Sequence, residues 1–287
     1  MSRIAYVNGA YVPLRDAAVR IEDRGYQFAD GIYEVALFVG GKFWDLDGHL
    51  ARWDRSLKAL EIPEPMGERA LRLVISRLVS VNRLGDCYVY MQASRGVAPR
   101  NHPFPVEGTP PSLVITVKPL NLAKLNLNAQ KGIAVKTQPD IRWGRVDIKS
   151  TGLLPNILAK EAAKKAGAGE AWLVRNGVVT EGGSSNAWII DNRGVLITHP
   201  LGNEILGGIT RQTVIRCAEL LQLQVEERAF SVEEVKTAKE AFITSAMNLV
   251  TPVIAIDGAK VGDGKPGPVA LRLRDAYVAY CADGSNH

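Results

Sequence analysis

The chain is 287 residues long, 46% hydrophobic and 23% charged, with a formal net charge of +5; this composition suits a soluble protein with a substantial buried core, in one large domain or two. Lysines and arginines are dispersed rather than clustered, so the positive balance favours small anionic ligands and nucleic acid is not an expected partner. No apolar run reaches membrane-spanning length, and the three cysteines, Cys87, Cys217 and Cys281, are too scattered for a CxxC pair or a disulfide framework. A cytoplasmic protein without a membrane partner or a metal site is expected.

Near the N-terminus, IAYVNGAYVP alternates about Asn8-Gly9, a hairpin signal. GIYEVALFVGGKFWDLD predicts a second strand pair turning at Gly40-Gly41. DGHLARWDRSLKAL predicts a helix with Asp47 as N-cap and an apolar stripe of Leu50, Trp53, Leu57 and Leu60. A further helix is expected over 68–83, followed by strands at CYVYMQAS and SLVITVKPL joined by an irregular loop. Residues 121–132 lose the strand pattern without gaining a clear helix, and 121–130 are expected to link a small domain, 1–120, to a larger one, 131–287. In the second half, GIAVKTQ predicts a strand and LPNILAKEAAKKAGAG a helix with Pro155 in its first turn. AWLVRNGVVTEGGSSNAWIIDNRGVLITHP reads as a meander, GGITRQTVIRCAELL as a helix entered through two glycines, EAFITSAMNLVTPVIAIDG as strand, and 268–280 as a last helix. Strands and helices do not alternate strictly, so the fold class is α+β.

Three stretches carry residues suited to chemistry. In RWGRVDIKST, Lys149 is either a surface lysine or a nucleophile. A nucleophilic lysine must be neutral, against a free value of about 10.4, and cations such as Arg142 and Arg145 act in that direction. In VTEGGSSN, Glu181 precedes a turn of small residues that lets backbone approach a flat ligand, and a carboxylate there suits the ring nitrogen of a pyridine cofactor. In LGGITR, Gly208, Ile209 and Thr210 open a helix whose N-terminal amides and hydroxyl suit a phosphate, with Ser245 and its neighbours in TSAMN as further donors. Lysine, carboxylate and phosphate cradle together describe a site for pyridoxal 5'-phosphate.

The order DIKS, VTEGGSSN, GGITR, FITS, with EDRGYQFADGIYEV ahead of it, resembles the fold-type-IV pyridoxal phosphate transaminases, from about Tyr6 to Asp257. That resemblance implies a smaller N-terminal α/β sandwich and a larger, barrel-like C-terminal α/β domain. It implies that Lys149 is the Schiff-base lysine and proton carrier, that Glu181 partners the ring nitrogen, and that Arg52, Gly208, Ile209, Thr210, Ser245 and Ala246 surround the phosphate. Leu206 would pack on the ring, and Arg142 would lie near the cofactor's 3-oxygen and the substrate. Arg52 has no bottom-up signal, since it lies off the apolar stripe of its helix as a solvated arginine would. Gly183 and Ala246 depart from the pattern, standing where a bacterial member has serine and threonine.

Within the family, SRGVAPRNHPFP offers Arg100 and His102, and a guanidinium fork beside an imidazole suits a carboxylate. With Tyr33 they resemble the carboxylate trap of the D-amino acid transaminases, whose loop reaches over from a partner subunit; a homodimer is implied. The implied reaction is ping-pong transfer of an amino group between D-amino acids such as D-alanine or D-glutamate and 2-oxo acids such as pyruvate or 2-oxoglutarate. The same scaffold also admits a branched-chain L-amino acid transaminase, an (R)-amine transaminase, or an aminodeoxychorismate lyase. A binding protein without turnover is the non-enzymatic alternative.

Overall fold

The computed structural model describes residues 3–283. Two compact units emerge: the chain up to Asn121 together with Ile148–Gly152, and Leu122–Asp147 together with the chain from Leu153 onward.

The first unit contains β1 (Ile4–Val7), β2 (Ala10–Pro13), α1 (Arg24–Phe28), β3 (Gly31–Val39), β4 (Lys42–Trp44), α2 (Leu46–Ala59), α3 (Glu68–Asn82), β5 (Cys87–Ser94) and β6 (Ser112–Pro119). Its strands form one antiparallel sheet in the order β2-β1-β6-β5-β3-β4. Both hairpins turn where the sequence predicts: Asn8-Gly9 and Gly40-Gly41 have positive φ, as a two-residue turn matching strand twist requires. Alternation along β3 sends Ile32, Glu34 and Ala36 to one face and Tyr33 and Val35 to the other. Leu50, Trp53 and Leu57 of α2 and Leu71, Ile75 and Leu78 of α3 bury against the first face, together with Ile148.

Helix α2 differs from the sequence reading. It starts one residue beyond Asp45, and Asp47 lies in the first turn, ion-paired with Arg72, rather than capping. Leu60 is the C-cap and only partly buried. Beside the apolar stripe runs a second buried row, His49, Arg52 and Ser56. The five-residue α1 has no periodic signal; Asp23 accepts from Gly25 N at 2.8 Å, and Ala29 ends it with φ 55°.

The second unit contains α4 (Leu122–Lys131), β7 (Ile133–Pro139), α5 (Leu154–Lys165), β8 (Glu170–Arg175), β9 (Val178–Gly182), β10 (Asn186–Ile190), β11 (Leu196–Thr198), α6 (Ile209–Leu220), β12 (Val225–Glu227), β13 (Phe230–Ser231), α7 (Val232–Thr237), β14 (Glu240–Ser245), β15 (Leu249–Ile256), β16 (Ala259–Lys260) and α8 (Pro268–Asp283). A mixed ten-stranded sheet, curled as a half-barrel, runs β12-β11-β10-β14-β15-β7-β8-β9-β13, with β16 on β15. Its core includes Trp172, Ile189, Ile197, Phe230 and Ile243. The expected meander is two separate hairpins: β9 pairs with β8 and β13, while β10 pairs with β11 and β14. The turn between β9 and β10 is closed by Gly182 N donating to Ser185 O at 2.6 Å.

Helix α4 stands where no helix was expected. Asn126 and Asn128 weaken it locally, but Arg274 of α8 donates to Asn126 Oδ1 at 3.0 Å across 148 residues of sequence. Tertiary contact there overrides propensity.

Candidate active site

In the first unit, Lys149 is the central residue of a tight turn, in which Ser150 N donates to Ile148 O at 2.8 Å, on a segment docked on β3. Tyr33 N donates to Lys149 O at 3.0 Å, Thr151 N to Gly31 O at 2.9 Å, and Ser150 bridges to Ile32. Ile148 enters the core, while Lys149 beside it is only partly buried. Lys149 Nζ lies 4.2 Å from the centroid of the Tyr33 ring, and that ring stacks on Tyr90 at 5.8 Å. The expected neighbouring cations are already compensated. Arg145 is ion-paired with Asp147 at 2.9 Å, and Arg142 with Asp140 and Glu181.

Arg52 is buried, contrary to its sequence appearance. Its Nε donates to Glu34 Oε1 at 2.6 Å and its Nη2 to Oε2 at 2.9 Å, while His49 Nδ1 meets Oε2 at 2.8 Å. Glu34 has no exposed surface. Burial alone would raise its carboxyl, but the charge and hydrogen bonds of Arg52, with those of the His49 ring, hold it far below the usual range.

Arg100 and His102 lie on an exposed loop after β5. The Arg100 guanidinium is 4.6 Å from the centroid of Phe28, and the His102 ring is 5.5 Å from the same phenyl. Tyr33 contacts Lys149 and Tyr90 instead, so the expected carboxylate trap falls into two groups of contacts within one protomer.

In the second unit, Glu181 near the end of β9 is buried. One carboxylate oxygen accepts from Arg142 Nη1; the other accepts from Asn186 Nδ2 at 2.9 Å and Leu206 N at 3.1 Å. Asn186 in turn donates to Leu206 O at 2.8 Å, locking Leu206 beside the carboxylate. Arg142 Nη2 reaches Asp140 at 2.8 Å and Glu204 O at 3.1 Å. Burial raises the Asp140 carboxyl, but hydrogen bonds and charge from Arg142, with the Thr180 hydroxyl, outweigh it and bring it down to about 2.

Helix α6 begins at Ile209 with Gly208 as N-cap and no capping side chain. A Cβ on Gly208 would lie 2.0 Å from Asn186 Oδ1, so the helix entrance requires glycine. Ser245 ends β14 and Ala246 follows in the turn to β15. Ser245 Oγ accepts from Asn248 N at 3.1 Å and Asn248 Nδ2 at 3.0 Å, which leaves its single hydrogen as what it can offer an anion. A Cβ on Gly183 would lie 2.8 Å from Lys160 Cγ, and Lys160 pairs with buried Glu170 at 3.1 Å. That close approach leaves little room for a side chain at 183, the position at which the chain departs from the family pattern.

The family described as amino-transferase class IV matches residues 31–256. The chain belongs to the class IV aminotransferases. It is 41% identical to the D-alanine aminotransferase of Staphylococcus haemolyticus, over 98% of this chain and 99% of that one. With the D-alanine aminotransferase of Listeria monocytogenes the identity is 42%, over 95% and 94%. The branched-chain aminotransferase of the archaeon Thermoproteus uzoniensis, solved with norvaline, has a TM-score of 0.88 at 27% identity, covering 100% of this chain and 97% of that one. The branched-chain enzyme of Escherichia coli has a TM-score of 0.90 at 24% identity, covering 98% and 95%, a likeness of fold.

Fold-type-IV aminotransferases use pyridoxal phosphate. The donor set of the second unit fits such a group. An N-terminus without a side-chain cap suits a phosphate. A carboxylate buried among three donors is an anion suited to a protonated ring nitrogen. This aminotransferase holds further polar groups that the sequence reading missed: Asn186, Asp140 and Thr180 around Glu181, and Glu34 with His49 around Arg52. Among them Asn186 carried the only sequence cue, its place at the end of the small-residue turn. Among the described residues, no cluster of His, Cys, Asp or Glu could hold a metal ion, and no helix is long and apolar enough to cross a membrane.

Proposed function

We propose that this aminotransferase is a pyridoxal phosphate-dependent D-amino acid transaminase. It exchanges the amino group of D-alanine or D-glutamate with 2-oxo acids such as 2-oxoglutarate and pyruvate. The observation that carries the reading is identity of about 40% to D-alanine aminotransferases over nearly the whole chain. Lys149 carries the cofactor and moves the α-proton at its Nζ. Glu181 would accept from the ring nitrogen, with Leu206 against the ring and Arg142 nearby. Arg52, Ser245, Ala246 and the Gly208–Ile209–Thr210 helix start would hold the phosphate. The bound cofactor supplies an electron sink. Tyr33, Arg100 and His102 grip the substrate carboxylate. The branched-chain alternative draws on structural likeness at 27% identity or less for the neighbours named above, against about 40% for the D-specific relatives.

The purified protein should be yellow, and D-alanine should bleach its visible band rapidly. Faster bleaching by L-leucine than by D-alanine would overturn D-specificity in favour of the branched-chain reading.

We further propose a cytoplasmic homodimer in which the Arg100–His102 loop acts on the partner's substrate. Supporting this, Leu154, Ile157 and Leu158 expose an apolar face of α5, and Ile21, Tyr26 and Phe104 are exposed on the first unit. The three cysteines are buried and form no disulfide among the described residues, in keeping with a reducing compartment. Arg100→Gln should raise the KM for D-alanine by ~10- to 100-fold, the worth of a charge-assisted fork on a carboxylate. When Arg100→Gln and Lys149→Ala chains are mixed under conditions that exchange subunits, a low-KM component should return, because one site of the mixed dimer then has both groups. Absence of that component after verified exchange would exclude action across the dimer.

A further inference from the structure

The EDRGYQFADG stretch bears none of the proposed cofactor- or substrate-binding residues, yet two of its charged residues, Arg24 and Asp30, join Arg95 in one network. Arg24 and Arg95 are 4% and 5% exposed. Arg24 Nε donates to Asp30 Oδ2 at 2.7 Å. From the other side, Arg95 Nε donates to the same oxygen at 2.8 Å and its Nη2 to Asp30 Oδ1 at 3.0 Å. The remaining Arg24 donors are spent on one target. Nη1 donates to Asn101 O at 2.6 Å and Pro103 O at 3.2 Å, and Nη2 to His102 O at 3.1 Å. Three successive carbonyls of the loop that bears Arg100 and His102 therefore point at a single guanidinium.

Backbone contacts reinforce the grip. Arg24 N donates to Gly96 O at 2.9 Å, and Arg95 N to Asp30 O at 3.1 Å. The Arg95 guanidinium also covers the Phe104 ring at 3.6 Å, two residues beyond His102 in the same loop. A glycine at 25 is required for this approach, since a Cβ there would lie 2.8 Å from Ser94 Cβ. Burial raises the Asp30 carboxyl, but hydrogen bonds and charge from Arg95 and Arg24 bring it below the ordinary value, so it remains the anion that both arginines share.

We propose that Arg24, fixed by Asp30 and Arg95, is the positioning residue of the Arg100–His102 loop and thereby sets how tightly the substrate carboxylate is held. A loop without regular secondary structure keeps no fixed geometry unless its backbone polar groups are satisfied. The fork geometry of arginine meets three carbonyls and the Asp30 carboxylate at once, one acceptor more than the three hydrogens of a lysine ammonium can serve. The inference rests on the proposed role of Arg100 and His102 in carboxylate binding.

The test uses the holoenzyme. Arg24→Gln should raise the KM for D-alanine by about tenfold or more with kcat nearly unchanged, since a displaced anchor weakens binding shared by ground and transition states. Combined with Arg100→Gln it should add less than its effect alone, because Arg24 acts only through the loop and His102 is then all that it still positions. Hydrogen exchange should quicken at the loop amide of Ala98, which donates to Glu22 O at 3.3 Å, and stay constant in β3 and β5. Arg24→Lys, which keeps the buried charge opposite Asp30, should give an intermediate KM and guards against a folding defect. A fall in kcat at constant KM, multiplied losses in the double variant, or unchanged exchange in the loop would each overturn the proposal. If Arg100→Gln alone leaves KM unchanged, the carboxylate role of Arg100 fails instead, and loop exchange in Arg24→Gln still decides whether Arg24 holds the loop.

Discussion

Lys149→Ala should lower turnover of D-alanine on the order of 10⁴-fold, with the loss in kcat, as expected when a positioned proton carrier is removed. The geometry around Lys149 makes the substitution clean. Its backbone is fixed from both sides by Tyr33 N, Thr151 N and the Ser150 bridge, and Ile148 is anchored in the core. None of these contacts involves the Lys149 side chain, so the variant should fold and keep its thermal unfolding temperature. It should also still bind the cofactor, through the proposed phosphate and ring-nitrogen partners. A second readout is independent of turnover. Borohydride reduction of the holoenzyme should fix the cofactor's mass on the peptide containing Lys149 and on no other lysine. Turnover within tenfold of the parent, or a label on Lys160 instead, would remove Lys149 from the role.

The parts of the site that could be read from sequence are those whose chemistry and backbone demand fall on adjacent residues. VTEGGSSN declares a carboxylate beside a close backbone approach, and GGIT declares an uncapped helix start; both are where they were expected. Arg52 could not be read this way. Its partner Glu34 is 18 residues away on another element, and only the packing of α2 on β3 shows that the helix buries a polar row beside its apolar one. The clamp on the Arg100 loop joins residues 77 apart, and Arg95 reaches Asp30 across 65. No periodicity encodes such pairings. Likewise the apparent meander of β8 to β11 follows local strand signals correctly but misses that β10 pairs with β14 rather than β9, a matter of sheet closure rather than of local pattern.

Glu34→Gln should be the most destabilising single change in the first unit, by roughly 3–5 kcal/mol, the usual cost of stranding a buried cation. Glutamine keeps the shape but leaves the Arg52 guanidinium without its counter-charge and turns an NH₂ group toward one of its former donors. The effect has a definite pH signature. The folded-state value of Glu34 is depressed, so its contribution is fully present above the unfolded-state value of about 4.3 and is lost as pH falls toward the folded one. The stability gap between parent and Glu34→Gln should therefore hold constant from neutrality down to about pH 5 and narrow below it. Chemical denaturation followed at several pH values would show this, and a gap that widens in acid would refute it. Removing Arg52 as well should recover part of the loss, because the double variant no longer buries a cation that has lost the Glu34 carboxylate. Cofactor affinity separates the two duties proposed for Arg52. If its guanidinium also serves the phosphate, Glu34→Gln should weaken cofactor binding by freeing its orientation, and removing Arg52 as well should weaken it further while recovering part of the stability.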